Sequence, residues 1–198
     1  VKAAIEAGKH VYCEWPLGKS LTEAEEMAAL ARARGVLAVV GTQAPFAPEI
    51  AYLRQLITDG FVGEVLSTSL VGRGGVALGG GTIPDKRTYG YLLDRANGAT
   101  MLTIPVGHTL AALRSVFGDI AEVSAVLATR RPTVLAIDGG EALPATAPDQ
   151  VLVSGAFASG IPVSIHYRGG PSRDGVGLFW EIHGTEGDIR ISGSSGHT

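Results

Sequence analysis

A chain of 198 residues, 45% hydrophobic and 18% charged with a formal net charge of -3, has material for one large core or two modest ones. Its weakly acidic balance gives no electrostatic reason to expect nucleic acid or an anionic membrane as a partner. The longest apolar runs, such as Val36 to Val40, are far too short to span a bilayer; no export signal opens the chain, and a lone Cys13, with no intrachain disulfide to form, fits a cytoplasmic location.

Val1 to Ala7 reads as the tail of a helix closing at Gly8, and with Val1 in place of an initiating Met a truncated start is the expectation. His10 to Cys13 is a β-branched and aromatic run, a candidate parallel strand. Ser20-Leu21-Thr22-Glu23 has the form of a capping box. Ala24, Met27, Ala28 and Ala31 follow at helical spacing, with Glu23, Glu25 and Glu26 early and Arg32 and Arg34 late, as the helix dipole favours. Gly35 stops that helix and Val36 to Val40 supplies a strand expected to be fully buried. Strand, helix, strand in this order is a right-handed βαβ unit of a doubly wound sheet.

The pattern changes after Thr42. Pro48 to Thr58 predicts a helix, Glu64 to Val71 a strand, and Gly72 to Asp85 a glycine-rich loop. Leu102, Val106, Leu110, Leu113 and Phe117 give a long amphipathic helix ending at Gly118. Strands are expected near Ala121–Thr129, Val151–Phe157, Val163–Tyr167, Gly177–His183 and Ile189–Ile191, joined by turns such as Gly160-Ile161-Pro162. Short turns between successive strands imply an antiparallel sheet with helices on one face. Ser192 to Gly196 reads as a linker or a loop before further strands, and truncation is expected there too. The chain therefore divides near residue 42 into part of a doubly wound α/β sheet and an α+β domain, residues 43–198, with a mostly antiparallel sheet.

Gly72-Arg73-Gly74-Gly75-Val76-Ala77 fits G-x-G-x-x-G/A, yet the pattern needs a helix immediately afterwards to hold a pyrophosphate. Leu78 to Pro84 cannot supply one, so a loop is the better reading. His10, His166, His183 and His197 show no metal-ligand spacing with one another or with Cys13, and no metal is expected.

Ala4-x-x-Ala7-Gly8-Lys9-His10-Val11-Tyr12-Cys13-Glu14-Trp15-Pro16-Leu17 is similar to the signature of the glucose–fructose oxidoreductase and inositol dehydrogenase (Gfo/Idh/MocA) family, which usually ends Glu-Lys-Pro. Glu181-Ile182-His183-Gly184-Thr185-Glu186-Gly187 resembles a hairpin of that family's second domain. Glu14-Trp15, Thr103-x-x-x-Gly107-His108-Thr109 and Pro148-Asp149 before Val151 resemble the branch holding the fungal galactose-regulon repressor and its bacterial relatives.

The resemblance makes residues 1–42 the last part of a dinucleotide-binding Rossmann domain and residues 43–198 an open-sheet second domain, with a cleft between them that takes NAD or NADP and a sugar or polyol. Glu14, Trp15, Pro16 and Gln43 fall on its cofactor side, with Pro16 expected in a cis bond; Gln43 reads equally as a plain loop amide. Trp15 stands in place of the family's lysine. An indole has one donor and no exchangeable proton at neutral pH, so it either shapes a sugar or nicotinamide face or plugs the domain interface. His108 falls on the family's active-site histidine and suits general acid/base work. It shares a helix face with Ile104, Ala111, Ala112 and Ser115, away from the apolar stripe. The aspartate usual one turn earlier is Ile104 here, with Thr103 beside it. Thr103 and Tyr91 are candidate substrate contacts, with Tyr89 and Asp94 near them, and His183 is structural.

Two functions follow from the resemblance. One is an NAD(P)-dependent oxidoreductase moving a hydride to or from a sugar or polyol derivative, with His108 exchanging the hydroxyl proton. The other is a catalytically silent dinucleotide- or sugar-binding regulator acting on a protein partner, favoured by the loss of both lysine and aspartate. The resemblance also implies a homo-oligomer formed through the outer face of the second-domain sheet, for which Val123, Val153 and Val163 are available, although the alternation facing outward is open.

Overall fold

The computed structural model describes residues 1–194. A short helix α1 (Lys2–Glu6) leads to β1 (Val11–Glu14), α2 (Leu21–Arg34) and β2 (Ala38–Gly41). β1 and β2 pair in parallel, Val11 with Ala38 through Glu14 with Gly41, which is the expected βαβ unit. α2 starts where Ser20 Oγ accepts the Glu23 amide at 3.2 Å and stops at Gly35 in the left-handed region. The Glu23 carboxylate reaches back to the Lys19 amide at 2.8 Å, one residue earlier than a capping box predicts. β2 is not fully buried: Val39 is 42% exposed, because this sheet has only two strands among the described residues.

A 3₁₀ turn at Ala44–Phe46 and helix α3 (Pro48–Thr58) lead into the second part. β3 (Val65–Arg73), the two-residue β4 (Thr82–Ile83), α4 (Lys86–Tyr89) and α5 (Pro105–Phe117) follow. Then come β5 (Ile120–Ala128), β6 (Thr133–Ala136), β7 (Glu141–Pro144), β8 (Gln150–Phe157), β9 (Pro162–Arg168), β10 (Leu178–Gly184) and β11 (Asp188–Gly193). Six strands form one open sheet in the order β11-β10-β3-β9-β8-β5. Neighbours are antiparallel throughout except for β3 with β9, which run parallel.

One face of this sheet carries the main core. Leu70, Val151, Val153, Val163, Ile165, Trp180 and Ile182 meet Leu53 of α3 and Val106 and Leu113 of α5. Phe117 closes its end, 5.2 Å from the Phe157 ring and 6.3 Å from Trp180. Val153 and Val163 thus point inward, correcting their assignment to the outer face, while Val123 sits exposed on the edge strand β5. Register instead aligns Ser124, Ser154, Ser164 and Ser69 in one outward row, and Val126, Leu152, His166, Val71 and Phe179 in the next.

β4, β6 and β7 make a separate three-stranded sheet over a small second core of Ile83, Leu93, Val134, Ala136 and Leu143. The sequence gives no warning of it, since its strands are two to four residues long, too short for an alternation to register. β11 extends to Gly193, so Ser192 and Gly193 of the expected Ser192–Gly196 linker are strand, and residues 195–198, His197 included, lie outside the described residues. No helix among the described residues is long and apolar enough to cross a membrane.

Candidate functional site

Glu14 ends β1 and Gly41 ends β2, side by side at the carboxyl end of the parallel pair, where open α/β sheets bind ligands. Gln43 Nε2 donates to both Glu14 oxygens, at 3.4 and 3.3 Å. The Tyr12 hydroxyl donates to the same carboxylate at 3.1 Å, and that hydrogen bond holds its phenol above the usual pKa. Glu14 and Gln43 therefore meet, as the sequence suggests. Tyr12 was missed, although strand alternation places residues i and i+2 on one face.

The Trp15–Pro16 bond is cis. Trp15 is half-buried and its indole N–H donates to the Thr103 carbonyl at 2.5 Å. The indole lies against Gly107 in the first turn of α5, where a methyl group would come within 2.8 Å of the indole Cε2. A second junction lies nearby: Gly98, with φ of 70°, brings its α-carbon so close to the Lys19 backbone that a side chain would meet the Lys19 α-carbon at 2.5 Å. Both contacts join residues 1–42 to backbone of the second domain, one through the Trp15 indole and the other backbone to backbone at Lys19.

Thr103 has its hydroxyl committed within its own turn, donating to the Gly98 carbonyl at 2.6 Å and accepting the Thr100 amide at 2.8 Å. Its carbonyl is what meets Trp15. His108 follows Gly107 directly, but it is only 5% exposed. It lies off the apolar stripe of α5, as its spacing predicts, and is nonetheless buried, as are Thr109 and Ala112; the 3₁₀ turn at Ala44–Phe46 and α3 both pack against α5. Thr109 Oγ1 lies 2.6 Å from the Tyr167 hydroxyl, and burial pushes the Tyr167 phenol up to about 12. Tyr167 is the second missed residue. A tyrosine in the inward register of an apolar strand requires a hydrogen-bond partner, and that signal was available.

Tyr91 is 52% exposed, with its carbonyl accepting from Asn97 Nδ2, and no hydrogen bond among the described residues joins it to Trp15, Thr103 or His108. Tyr89 packs on the small second core. Asp94 caps a 3₁₀ turn, accepting the Ala96 amide at 2.9 Å and the Thr146 hydroxyl at 3.1 Å. Tyr89 and Asp94 are thus tied to the small sheet and to the segment just after it. His183 meets Asp188 at 2.5 Å across the β10–β11 hairpin, in keeping with a structural part. The glycine pattern at Gly72 is followed by turns rather than a helix, and Gly72 itself makes room for the Tyr167 ring, 2.6 Å from where a methyl would sit. No group of three His, Cys, Asp or Glu side chains converges among the described residues.

These residues fit the nicotinamide end of a dinucleotide: a strand-end crevice, a carboxylate held by an amide and a phenol, and a proline backbone with no N–H to satisfy. The G-x-G-x-x-G fingerprint opening a helix, which would hold the pyrophosphate, does not occur among the described residues.

Residues 48–193 match the family described as Gal80p, C-terminal domain, and residues 1–42 match the oxidoreductase family with an NAD-binding Rossmann fold, Gfo/Idh/MocA. The galactose/lactose metabolism regulatory protein GAL80 of Saccharomyces cerevisiae is 30% identical over 95% of this chain and 45% of its own length. A crystal structure of a super-repressor mutant of Gal80p from that organism superimposes with a TM-score of 0.88 at 27% identity, covering 100% of this chain and 54% of the other. The dehydrogenase aclE of Aspergillus oryzae is 31% identical over 98% of the chain and 53% of its own. Levoglucosan dehydrogenase, in a complex with NADH and L-sorbose, superimposes with a TM-score of 0.77 at 26% identity over 96% of this chain and 50% of the other. The chain spans about half the length of the curated relatives it matches.

Proposed function

Because this chain belongs to the Gal80p C-terminal-domain family, preceded by part of the Rossmann fold of the Gfo/Idh/MocA oxidoreductases, we propose that it acts as part of an NAD(P)-dependent oxidoreductase on a sugar or polyol derivative. The observation that carries this reading is the meeting of the β1 end with the first turn of α5. Trp15 rests on Gly107, and His108 is the next residue.

When bound, the nicotinamide supplies the hydride acceptor or donor. Glu14, held by Gln43 and Tyr12, together with Pro16, positions its reactive end at the crevice. His108 exchanges the proton of the reacting hydroxyl; its burial keeps competing water away. Trp15 walls the sugar pocket, Thr103 fixes the indole through its carbonyl, and Tyr91 stands at the exposed side. The levoglucosan dehydrogenase complex with NADH and L-sorbose supports both ligand classes. In this reading the protein works in the cytoplasm and self-associates through the outer sheet face around Val126, Leu152, Val71 and Phe179.

One observation favours a second reading, a regulator that binds dinucleotide or sugar without turnover and acts on a protein partner. The indole donor that replaces the ammonium is already spent on Thr103, and Ile104 provides no carboxylate for His108. GAL80 is itself named a regulatory protein. The deciding experiment incubates the full-length protein with NAD or NADP and a panel of aldoses and polyols, following reduced-cofactor absorbance. Turnover that disappears in His108→Ala establishes the oxidoreductase. Cofactor binding with no turnover, and turnover appearing in Trp15→Lys, establishes the regulator.

A further inference from the structure

Arg73 ends β3 and Arg168 ends β9, and the two are direct register partners in the sheet's parallel pair. Gly72 and Tyr167, the residues before them, face the core, so both arginines stand on the outer face, opposite α5. Like charges in register are unfavourable unless something negative compensates them. Neither guanidinium has a carboxylate within 4 Å among the described residues. The nearest acids are otherwise engaged. Asp149 is 2% exposed, and its side chain accepts the Arg130 and Arg131 amides at 2.8 and 2.5 Å and Gln150 Nε2 at 3.2 Å. Asp174 accepts the Val176 amide at 3.0 Å and reaches Arg73 only through its charge.

The floor beneath the pair is polar and ordered. Arg168 Nε faces His166 Nδ1 at 3.5 Å, and His166 Nε2 faces Gln150 Oε1 at 3.4 Å. This pattern suits a neutral imidazole protonated on Nε2. Burial first, then the charges of Arg168 and Arg73, keep its pKa below the usual imidazole value. Thus two half-buried arginines stand side by side with no carboxylate within 4 Å of either guanidinium among the described residues. Gln150 and His166 hold one of them in place.

We propose that Arg73 and Arg168, oriented by His166 and Gln150, bind a phosphate-type oxyanion, free or carried by a phosphorylated small molecule. Two planar forks side by side match the oxygens of a tetrahedral dianion. The site lies one register row beyond Val126, Leu152 and Val71, so association of two sheets around those residues leaves it at the rim. It is independent of the contact between Trp15 and the first turn of α5.

The test is calorimetric titration of the full-length protein with inorganic phosphate against chloride at equal ionic strength. Saturable binding is expected, weakened at least about tenfold in Arg73→Ala and in Arg168→Ala. Arg190→Ala, which removes a guanidinium paired with Glu181 elsewhere on the sheet, leaves it unchanged. In the wild type, the His166 imidazole signal titrates at higher pH once phosphate is bound. Tighter binding of a sugar phosphate than of phosphate identifies a phosphorylated ligand; equal binding identifies the free ion. Heats indistinguishable from chloride, or phosphate binding that survives loss of both arginines, overturns the proposal.

Discussion

Trp15 and Gly107 are complementary across the two domains: the indole occupies the space that a side chain on that helical residue would need, with 2.8 Å between its Cε2 and the missing methyl position. Replacing a helical glycine by alanine ordinarily gains about 0.5–1 kcal/mol. Here Gly107→Ala is expected to lose stability, by about 1–3 kcal/mol, because the added methyl forces the indole off Thr103. Urea denaturation reads the sign. The Trp15→Ala, Gly107→Ala double variant recovers much of the loss, since the clash has gone. A Gly107→Ala variant more stable than wild type refutes the fit.

The Tyr167 phenol gives a pH signature. Its folded pKa, about 12, stands above the ordinary 10, so the fold favours the neutral form. Its contribution is fully present below pH 10 and is lost as pH rises towards 12, where the unfolded chain releases a proton and the folded one does not. A two-unit shift corresponds to about 2–3 kcal/mol. Tyr167→Phe should flatten the stability decline between pH 10 and 12, at a cost of about 1–2 kcal/mol near neutrality from the bond to Thr109. Urea midpoints across that range measure both.

Asp149 ties three loops together. Its side chain accepts two backbone amides, its carbonyl accepts the Gly169 amide at 2.7 Å, and its α-carbon lies 3.0 Å from where a Gly79 methyl would sit. Asp149→Ala leaves two part-buried amide donors without their acceptor and is expected to cost about 1–3 kcal/mol. Asp149→Asn keeps one acceptor and should cost less than half as much. Equal losses in the two variants would show that the carboxylate oxygens are not what holds the loops.

Much of this architecture was legible because it repeats a period. α3 runs over Pro48–Thr58 as predicted, and the five long strands of the sheet lie within two residues of their expected limits. β6 and β7 were not, since four-residue strands carry too little alternation. For the site, Glu14, Pro16 and Gln43 followed from strand-end placement. Helical spacing places His108 off the apolar stripe of α5 but leaves its burial unseen, because the packing of Ala44–Phe46 against that helix is tertiary. The Trp15–Thr103 bond was invisible for the same reason: a backbone acceptor leaves no trace in composition.

Leu113, fully buried between α5 and the sheet, measures how far the core depends on that helix. Leu113→Ala should lose about 2–5 kcal/mol and with it the calorimetric unfolding peak at the wild-type temperature. A loss below about 1 kcal/mol would mean that α5 packs loosely.

The middle position of β3 sets the order in which the chain can be made. Thr68 must wait for Val163 and Ile182, both synthesised long after it, before either flank of its strand is hydrogen-bonded. During translation the strand emerges with two open sides and no partner on the ribosome. Closing so distant a pairing slows the search for the native state, and a nascent chain interrupted before β9 exposes an adhesive ribbon.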